Sequence, residues 1–480
     1  MAGSPDTTSP HITHDDPVLI VGAGVFGLSL AHELARHRGY TNVTVLDRAL
    51  PPVPDGSSVD ISRIIRSEYA DPLYTRMAKE AIAEWRRDVT GEKEGGGGGG
   101  AEEEGGYAPW YDESGFVIIA EGDHHPYTAK ALEEGRRDGS GAERQDPGGS
   151  RAEGFTADQT DRRVKELYPA CQARMEGYSA VHNPDGGWAD AAGAIAELAR
   201  RASRAGVSFV TGPRGTVERL KKRRVVGVET LSGETLLASK VVLAAGAWTN
   251  YLIPGVEHAF LATGQPVAFV QLTAEEAATL RPRHPVIVNM STGVFCFPPS
   301  KDNVLKVARH GYGFATTVAR PKEQDQHKAQ EESAQKRAIS SPRRDADNSA
   351  SGYLPDDADA ALREGFRQFF PAFADRAWSK RRMCWYTDTA KGDFVVDNHP
   401  DVEGVFFATG GSGHGFKFLP VLGKYIADCF EDKASPDIRQ KWRLQPAPKG
   451  ESGIALSMGG DGSRAGPPLR TLTRDEQAKL

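Results

Sequence analysis

Apolar residues in this chain follow two rhythms: short unbroken runs, and stretches where they recur every three or four positions. Val18 to Val21 is an unbroken run suited to a buried parallel strand. Within VLIVGAGVFGLSLAHELARHRGYTNVTVLDR a tight turn and a helix follow, and Val43 to Leu46 forms the next strand. The same alternation predicts an amphipathic helix over 74–88 and another near Ala192 to Ala205. It predicts strands at 207–210, 225–230, 241–245, 394–397 and 405–408, with a closing helix over 420–430. This is the pattern of a doubly wound parallel sheet. Residues 265–310 read differently. QPVAFVQL, HPVIVN, GVFCFPP and NVLKVARH are strands separated by turns, which suits a mostly antiparallel second sheet, with a helix at 358–370. Tyr107 to Ala120 reads as a hairpin and His182 to Ala189 as a turn.

The rhythm fails in four places. Residues 1–16 are polar and expected to be disordered. EKEGGGGGGAEEEGG at 92–106 is of low complexity, and 321–351 is charged, Gln-rich and almost free of large apolar groups. From Ala434 the chain is rich in Gly, Ser, Pro and charge, and an exposed flexible tail is expected over 434–480. The nucleotide-binding domain is then discontinuous, at 17–90, 176–255 and 381–433. An inserted α+β sheet domain for substrate occupies 91–175 and 256–380.

The first strand–helix–strand unit carries Gly22, Gly24 and Gly27 at G-x-G-x-x-G spacing. Gly22 can turn sharply out of the strand, Gly24 leaves room for a pyrophosphate, and Gly27 lets the helix pack on the sheet. Free N–H groups at the helix start favour the phosphates. Asp47 ends the second strand, where a carboxylate can accept from a ribose. The turn alone leaves FAD and NAD(P) both open.

At 480 residues the chain is long enough for two cores, and a net charge of −6 gives no general attraction to nucleic acid or anionic membrane. No run of 18 apolar residues is present, nor an apolar core of a secretory signal at the start. A reducing intracellular compartment without structural disulfides is expected for Cys171, Cys296, Cys384 and Cys429, whose spacing fits no zinc site. Ala478-Lys479-Leu480 is a relaxed form of the Ser-Lys-Leu peroxisomal address, so an import receptor is an expected partner and the cytoplasm the alternative location.

Five motifs in order, GAGVFGLS, SRIIRSEY, LKVARH, MCWYTDTAKGDFVVDNHP and GGSGHGFKFLPVLG, resemble the monomeric sarcosine oxidase family of amine oxidases. Within it, the chain is most similar to fungal members acting on saccharopine, pipecolate or fructosyl amino acids. The resemblance implies a Rossmann-type (GR2-like) FAD-binding domain. It implies FAD contacts from Gly22, Gly24, Val25, Phe26, Gly27, Asp47, Arg48, Ser62, Arg63, Gly411, Gly413, His414, Gly415 and Lys417. Cys384 matches the cysteine that joins the flavin through a thioether, and nearby Arg381 and Arg382 would favour its thiolate. Lys306 matches the lysine that promotes oxygen reduction, and His310 and Tyr386 match active-site groups. Arg66 and Lys417 match the cations that clamp the substrate carboxylate. A second family tyrosine is replaced here by Phe295, which turns expectation from sarcosine to a bulkier amine. The implied reaction oxidises a CH–NH bond of a secondary amine, yielding an imine that water hydrolyses, and hydrogen peroxide from molecular oxygen. Saccharopine or pipecolate leads, with fructosyl amino acids or a secondary-metabolite amine as alternatives. An NADPH-dependent flavin monooxygenase is more distant, because no second G-x-G-x-x-G follows a strand. The resembled enzymes also imply a monomer.

Overall fold

The computed structural model describes residues 12–88, 105–136, 151–221, 226–281, 284–319, 338–343, 348, 350–447 and 462–480. The expectations for 1–11, 92–104 and 321–337 lie outside the described residues.

The apolar runs build a six-stranded sheet in the order Val395–Asn398, Val405–Thr409, Lys240–Leu243, Val18–Val21, Val43–Leu46, Ser208–Val210. All neighbours are parallel except the Val395–Asn398 edge. The helices Val25–His37, Ala191–Arg204 and Leu419–Phe430 cover one face, burying Leu28, Leu34, Ile195, Leu422 and Ile426. The helix Pro72–Arg86 packs on the same core. Pro72 stands in its first turn, and Asp71 caps it by accepting from Leu73 and Tyr74. A three-stranded antiparallel sheet, Val217–Lys221, Val226–Thr230 and Thr235–Ala238, covers the opposite face.

The second body is a ten-stranded, mostly antiparallel sheet centred on the long strand Leu261–Gln271. One face packs on the helix Asp356–Phe369 through Leu305, Val307, Met383, Trp385, Leu362 and Phe366. The other face looks toward the nucleotide-binding turn.

Several expectations need correction. Tyr178–Asn183 pairs with Phe116–Glu121 in the ten-stranded sheet, and Lys380–Asp388 pairs with Leu261–Gln271. The sequence reading puts both in the nucleotide-binding domain, because their long-range pairing is invisible to local pattern. Tyr111–Asp112 and Phe116–Glu121 form no hairpin, since the first pairs with Gly187–Ala189 and the second with Val286–Asn289. Residues 12–16 are ordered, with Thr41 N–H donating to the His14 carbonyl at 2.9 Å. The end of the 321–351 insertion is packed: Ala338–Ile339 pairs with Val318–Ala319, and Ser340 donates to the Ala262 carbonyl at 2.6 Å.

The tail is the largest departure. The helix Pro436–Trp442 buries Ile438 and Trp442, worth about 2 kcal/mol or more each. Residues 462–480 lie along the second body. Arg470–Thr471 adds a parallel strand to Phe314–Ala315, and a capping box at Thr473 starts the helix Arg474–Lys479. Leu472 and Leu480 enter the core. Two anchor leucines decide the outcome that polar composition concealed. Ala478 and Lys479 are exposed, but Leu480 is not.

Candidate active site

One cleft between the two bodies collects residues from Val21 to Ser463. Its first wall is the glycine turn. Gly22 has φ +112°, and a Cβ there would lie 2.4 Å from the Ala244 carbonyl oxygen. A Cβ on Gly27 would lie 1.9 Å from the Gly22 oxygen, so this glycine serves helix packing and does not line the cleft. The helix Val25–His37 begins without a side-chain cap or an acid in its first turn. Val25 N–H donates to Ser58 Oγ at 2.9 Å. Asp47 accepts from Ala23 N–H at 2.7 Å and Arg48 N–H at 2.6 Å. Gly215 lines the cleft beside Asp47, and a Cβ there would collide with the Val210 and Asp47 carbonyl oxygens. A glycine cradle, a helix start with no acid in its first turn and a terminal acid fit a dinucleotide's pyrophosphate and ribose.

The second wall follows from strand alternation. Leu261–Gln271 pairs Phe269 with Lys306 on one side and Gln265 with Cys384 on the other. Directly opposed residues share a face, and every second residue returns to it. Lys306, Ala308 and His310 therefore share a face with Arg382, Cys384 and Tyr386, and all of these but Arg382 line the cleft. Leu305, Val307, Met383 and Trp385 turn to the core.

Lys306 is only 2% exposed. Its Nζ lies 2.9 Å from Asp60 Oδ2, donates to the Ser62 carbonyl at 2.8 Å and stands 4.7 Å above the Phe297 ring. Burial pulls its pKa down to about 7, against the upward pull of Asp60. Arg63 and Arg382 also contact Asp60 Oδ2, at 2.7 and 2.9 Å. Burial alone would raise the Asp60 carboxyl, but Lys306, Arg382 and Arg63 hold it well below the usual range. Asp60 is a hub that sequence reading missed, because a lone acid in SSVDIS carries no motif. Ser62 contributes its carbonyl to Lys306 and does not line the cleft.

Cys384 is buried, with the Arg63 guanidinium 3.8 Å from its sulfur. The cation beside the thiol is Arg63 and not its sequence neighbours. Arg381 pairs with Asp359, and Arg382 turns to Asp60. The other cysteines are buried outside the cleft, and burial raises their thiol pKa values.

Arg66 and Lys417 form a cationic corner. Arg66 lies 4.6 Å above the Tyr69 ring, donates to Tyr127 Oη at 3.1 Å, and keeps Nη1 buried without a partner. Lys417 donates to Tyr69 Oη at 2.8 Å and the His414 carbonyl at 2.9 Å. Burial, then the charge of Arg66, holds Lys417 well below its ordinary pKa. Among the described residues neither cation has a carboxylate in ion-pair contact. Glu68 is nearby, but it turns to Ser67 and Asn183, and burial raises its pKa.

His414 bridges Tyr69 at Nδ1 (3.0 Å) and the Gly392 carbonyl at Nε2 (2.7 Å). The carbonyl can only accept, so Nε2 carries the proton and Nδ1 accepts from Tyr69. This neutral form agrees with a pKa held well below normal by burial and Lys417. His310 is likewise held neutral, by burial and by Arg464. Its ring lies 5.8 Å from Tyr386, whose hydroxyl pKa burial raises. Gly413 lies under Tyr386, since a Cβ there would reach 2.4 Å from the ring. Phe26 edges against Gly411 and Gly415, and Phe295 lines the cleft. Tyr69 ends the SRIIRSEY motif, which gives roles to its arginines and none to the tyrosine; Tyr127 and Arg464 have no motif to announce them, and Arg464 lies in the stretch expected to be a flexible tail.

Residues 17–429 match the model of the DAO family, FAD dependent oxidoreductase. L-saccharopine oxidase of Schizosaccharomyces pombe is 30% identical, covering 89% of this chain and 92% of its own. Monomeric sarcosine oxidase of a Bacillus species is 25% identical, covering 86% and 92%. Among solved structures, the fructosamine oxidase Amadoriase II of Aspergillus fumigatus matches with a TM-score of 0.73 at 26% identity, covering 97% of this chain and 100% of that one. The glycine cradle, the acid-ended second strand and a match that spans both bodies lead to one conclusion: this chain belongs to the DAO family of FAD-dependent oxidoreductases.

Proposed function

We propose that the protein oxidises the C–N bond of N-substituted amino acids, with a saccharopine- or pipecolate-type amine as substrate. The observation that carries this reading is the pair of buried cations, Arg66 and Lys417, without a carboxylate in ion-pair contact among the described residues and with an unpartnered Arg66 Nη1 in the same cleft as the dinucleotide turn. An amino-acid carboxylate satisfies both. The cations have a second effect: positive charge beside the substrate nitrogen disfavours its ammonium form and favours the free amine that can be oxidised. Neutral His310 and Tyr386 line the reacting side and add no charge there. FAD held by the Gly22–Gly24 turn and Asp47 would supply the two-electron acceptor for the amine and the electron donor for oxygen. The substrate leaves as an imine, which water hydrolyses. Lys306 offers a fixed positive charge where oxygen becomes negative, and Asp60 and the Ser62 carbonyl hold that charge in place.

Cys384 is the proposed point of covalent attachment, supported by its place on the cleft face and by the arginine beside its sulfur. Phe295 in the cleft supports an amine larger than sarcosine. Fructosyl amino acids are the second reading, supported by the likeness to Amadoriase II. The proposed assembly is a monomer. The proposed location is the peroxisome, which requires Leu480 to leave its seat in the core before a receptor can read it.

The test is peroxide release by the purified holoenzyme across sarcosine, pipecolate, saccharopine, fructosyl-valine and fructosyl-lysine. Fastest turnover of saccharopine or pipecolate is expected. Peroxide from none of them, with steady NADPH oxidation instead, would overturn the reading.

A further inference from the structure

Arg464 stands 35 residues beyond the end of the family match at 429, yet its side chain is 5% exposed and packs behind residues that line the cleft. Its Nη1 donates to the Gly311 carbonyl at 3.0 Å, and its Nη2 donates to the Ser412 carbonyl at 2.9 Å and to Asp388 Oδ1. The guanidinium carbon lies 5.1 Å above the Tyr386 ring. Its three hydrogen-bond acceptors fall on different elements of the site. Gly311 follows His310. Asp388 ends the strand that carries Cys384 and Tyr386. Ser412 sits between the loop glycines that approach Phe26 and Tyr386, with φ +45°, a left-handed backbone that a serine adopts only when its surroundings hold it there. Asp388 is itself fixed from behind by Thr263. On either side of Arg464, Ser463 lines the cleft and Ala465 bridges to Gly311. The distal half of the segment is fastened by the Arg470–Thr471 strand, the Thr473 capping box and the buried Leu472 and Leu480.

We propose that residues 462–480 form a strap that completes the substrate side of the active site, with Arg464 as the positioning residue that holds Tyr386, His310 and the 411–415 loop in one arrangement. The charge of Arg464 is taken up by Asp388, so its task is geometry and not anion binding. Ser463 then sets the outer limit for the substituent on the substrate nitrogen. The inference rests on the oxidase reading above and deepens it by naming what bounds the substrate. A guanidinium is suited to the task because its planar donors serve carbonyl and carboxylate acceptors together, which an ammonium cannot do in one plane.

Arg464→Met and Ser463→Trp test the strap in the holoenzyme, with the panel amine that wild type oxidises fastest. In Arg464→Met, anaerobic reduction at saturating amine should slow about a hundredfold, the cost of a misplacement near 1 Å. Reoxidation by oxygen, which depends on Lys306, should stay within about twofold of wild type, and half-saturation by amine within about threefold. Hydrogen exchange should quicken at Gly311 and across 411–415. Arg464→Lys should recover only part of the reduction rate. Unchanged reduction and exchange, or equal slowing of both half-reactions, would overturn the proposal. Ser463→Trp leaves the ion pair intact, so it remains informative if Arg464→Met does not fold. It should lower turnover of saccharopine by about tenfold or more relative to sarcosine. Equal rates with both amines, relative to wild type, would overturn the strap. A wild type that oxidises no panel amine would defeat the oxidase reading first, and the strap with it.

Discussion

Lys306 shows how far one residue's surroundings can be read as chemistry. It is nearly sealed from water, pairs with Asp60 and shares that carboxylate with Arg63 and Arg382. Burial lowers its pKa from 10.5 to about 7. Below about pH 7 the ammonium is present, and above it the charge is progressively lost. If that charge assists oxygen, the rate constant for oxygen with the reduced enzyme should fall as pH rises through about 7. Lys306→Arg, which keeps its charge, should flatten the profile. Stopped-flow reoxidation across pH measures this directly. A wild-type rate that stays constant from about pH 6 to about pH 9 would show that oxygen does not depend on this proton. The sequence offered LKVARH as the place to look, but Asp60, which fixes the lysine, is distant in sequence and could be found only once the chain was folded.

At the scale of elements, the site is a consequence of two strands laid against a third. LKVARH and MCWYT each alternate core and cleft residues, and the register of Leu261–Gln271 brings the cleft residues of both to one face. The alternation was legible in the sequence; the shared face was not, because pairing between residues 265 and 384 leaves no local trace. The same limit explains why Tyr178–Asn183 and Lys380–Asp388 were assigned to the wrong body. Short strands carry their period but not their partner. The register also predicts that Cys384 meets the cofactor edge while Met383 and Trp385 remain in the core. Protein precipitated with acid should keep its yellow colour, and Cys384→Ala should release the colour to the supernatant. Free flavin from the wild type would refute the tether.

At the scale of the molecule, two bodies each supply one half of the chemistry. The parallel sheet, with its glycine cradle, holds the nucleotide end. The large antiparallel sheet presents Lys306 and Cys384. The cationic corner uses Arg66 from the segment after the first unit and Lys417 from the loop before the last covering helix. The doubly wound pattern, the glycine turn and the motif order made this architecture readable in outline. Composition misled at the C-terminus, where a polar stretch is fastened by two leucines and one arginine.

The proposed chemistry rests on amine and oxygen being served by separate groups across one cleft. Its most direct test is rapid mixing of Arg66→Ala and Lys306→Met holoenzymes, first with amine without oxygen and then, once reduced, with oxygen. Arg66→Ala should need about a hundredfold more amine for the same reduction and reoxidise as wild type does. Lys306→Met should be reduced normally and reoxidise more slowly by about two to three orders of magnitude. If Lys306→Met meets oxygen at the wild-type rate, or if either substitution slows both steps alike, the division of labour is contradicted.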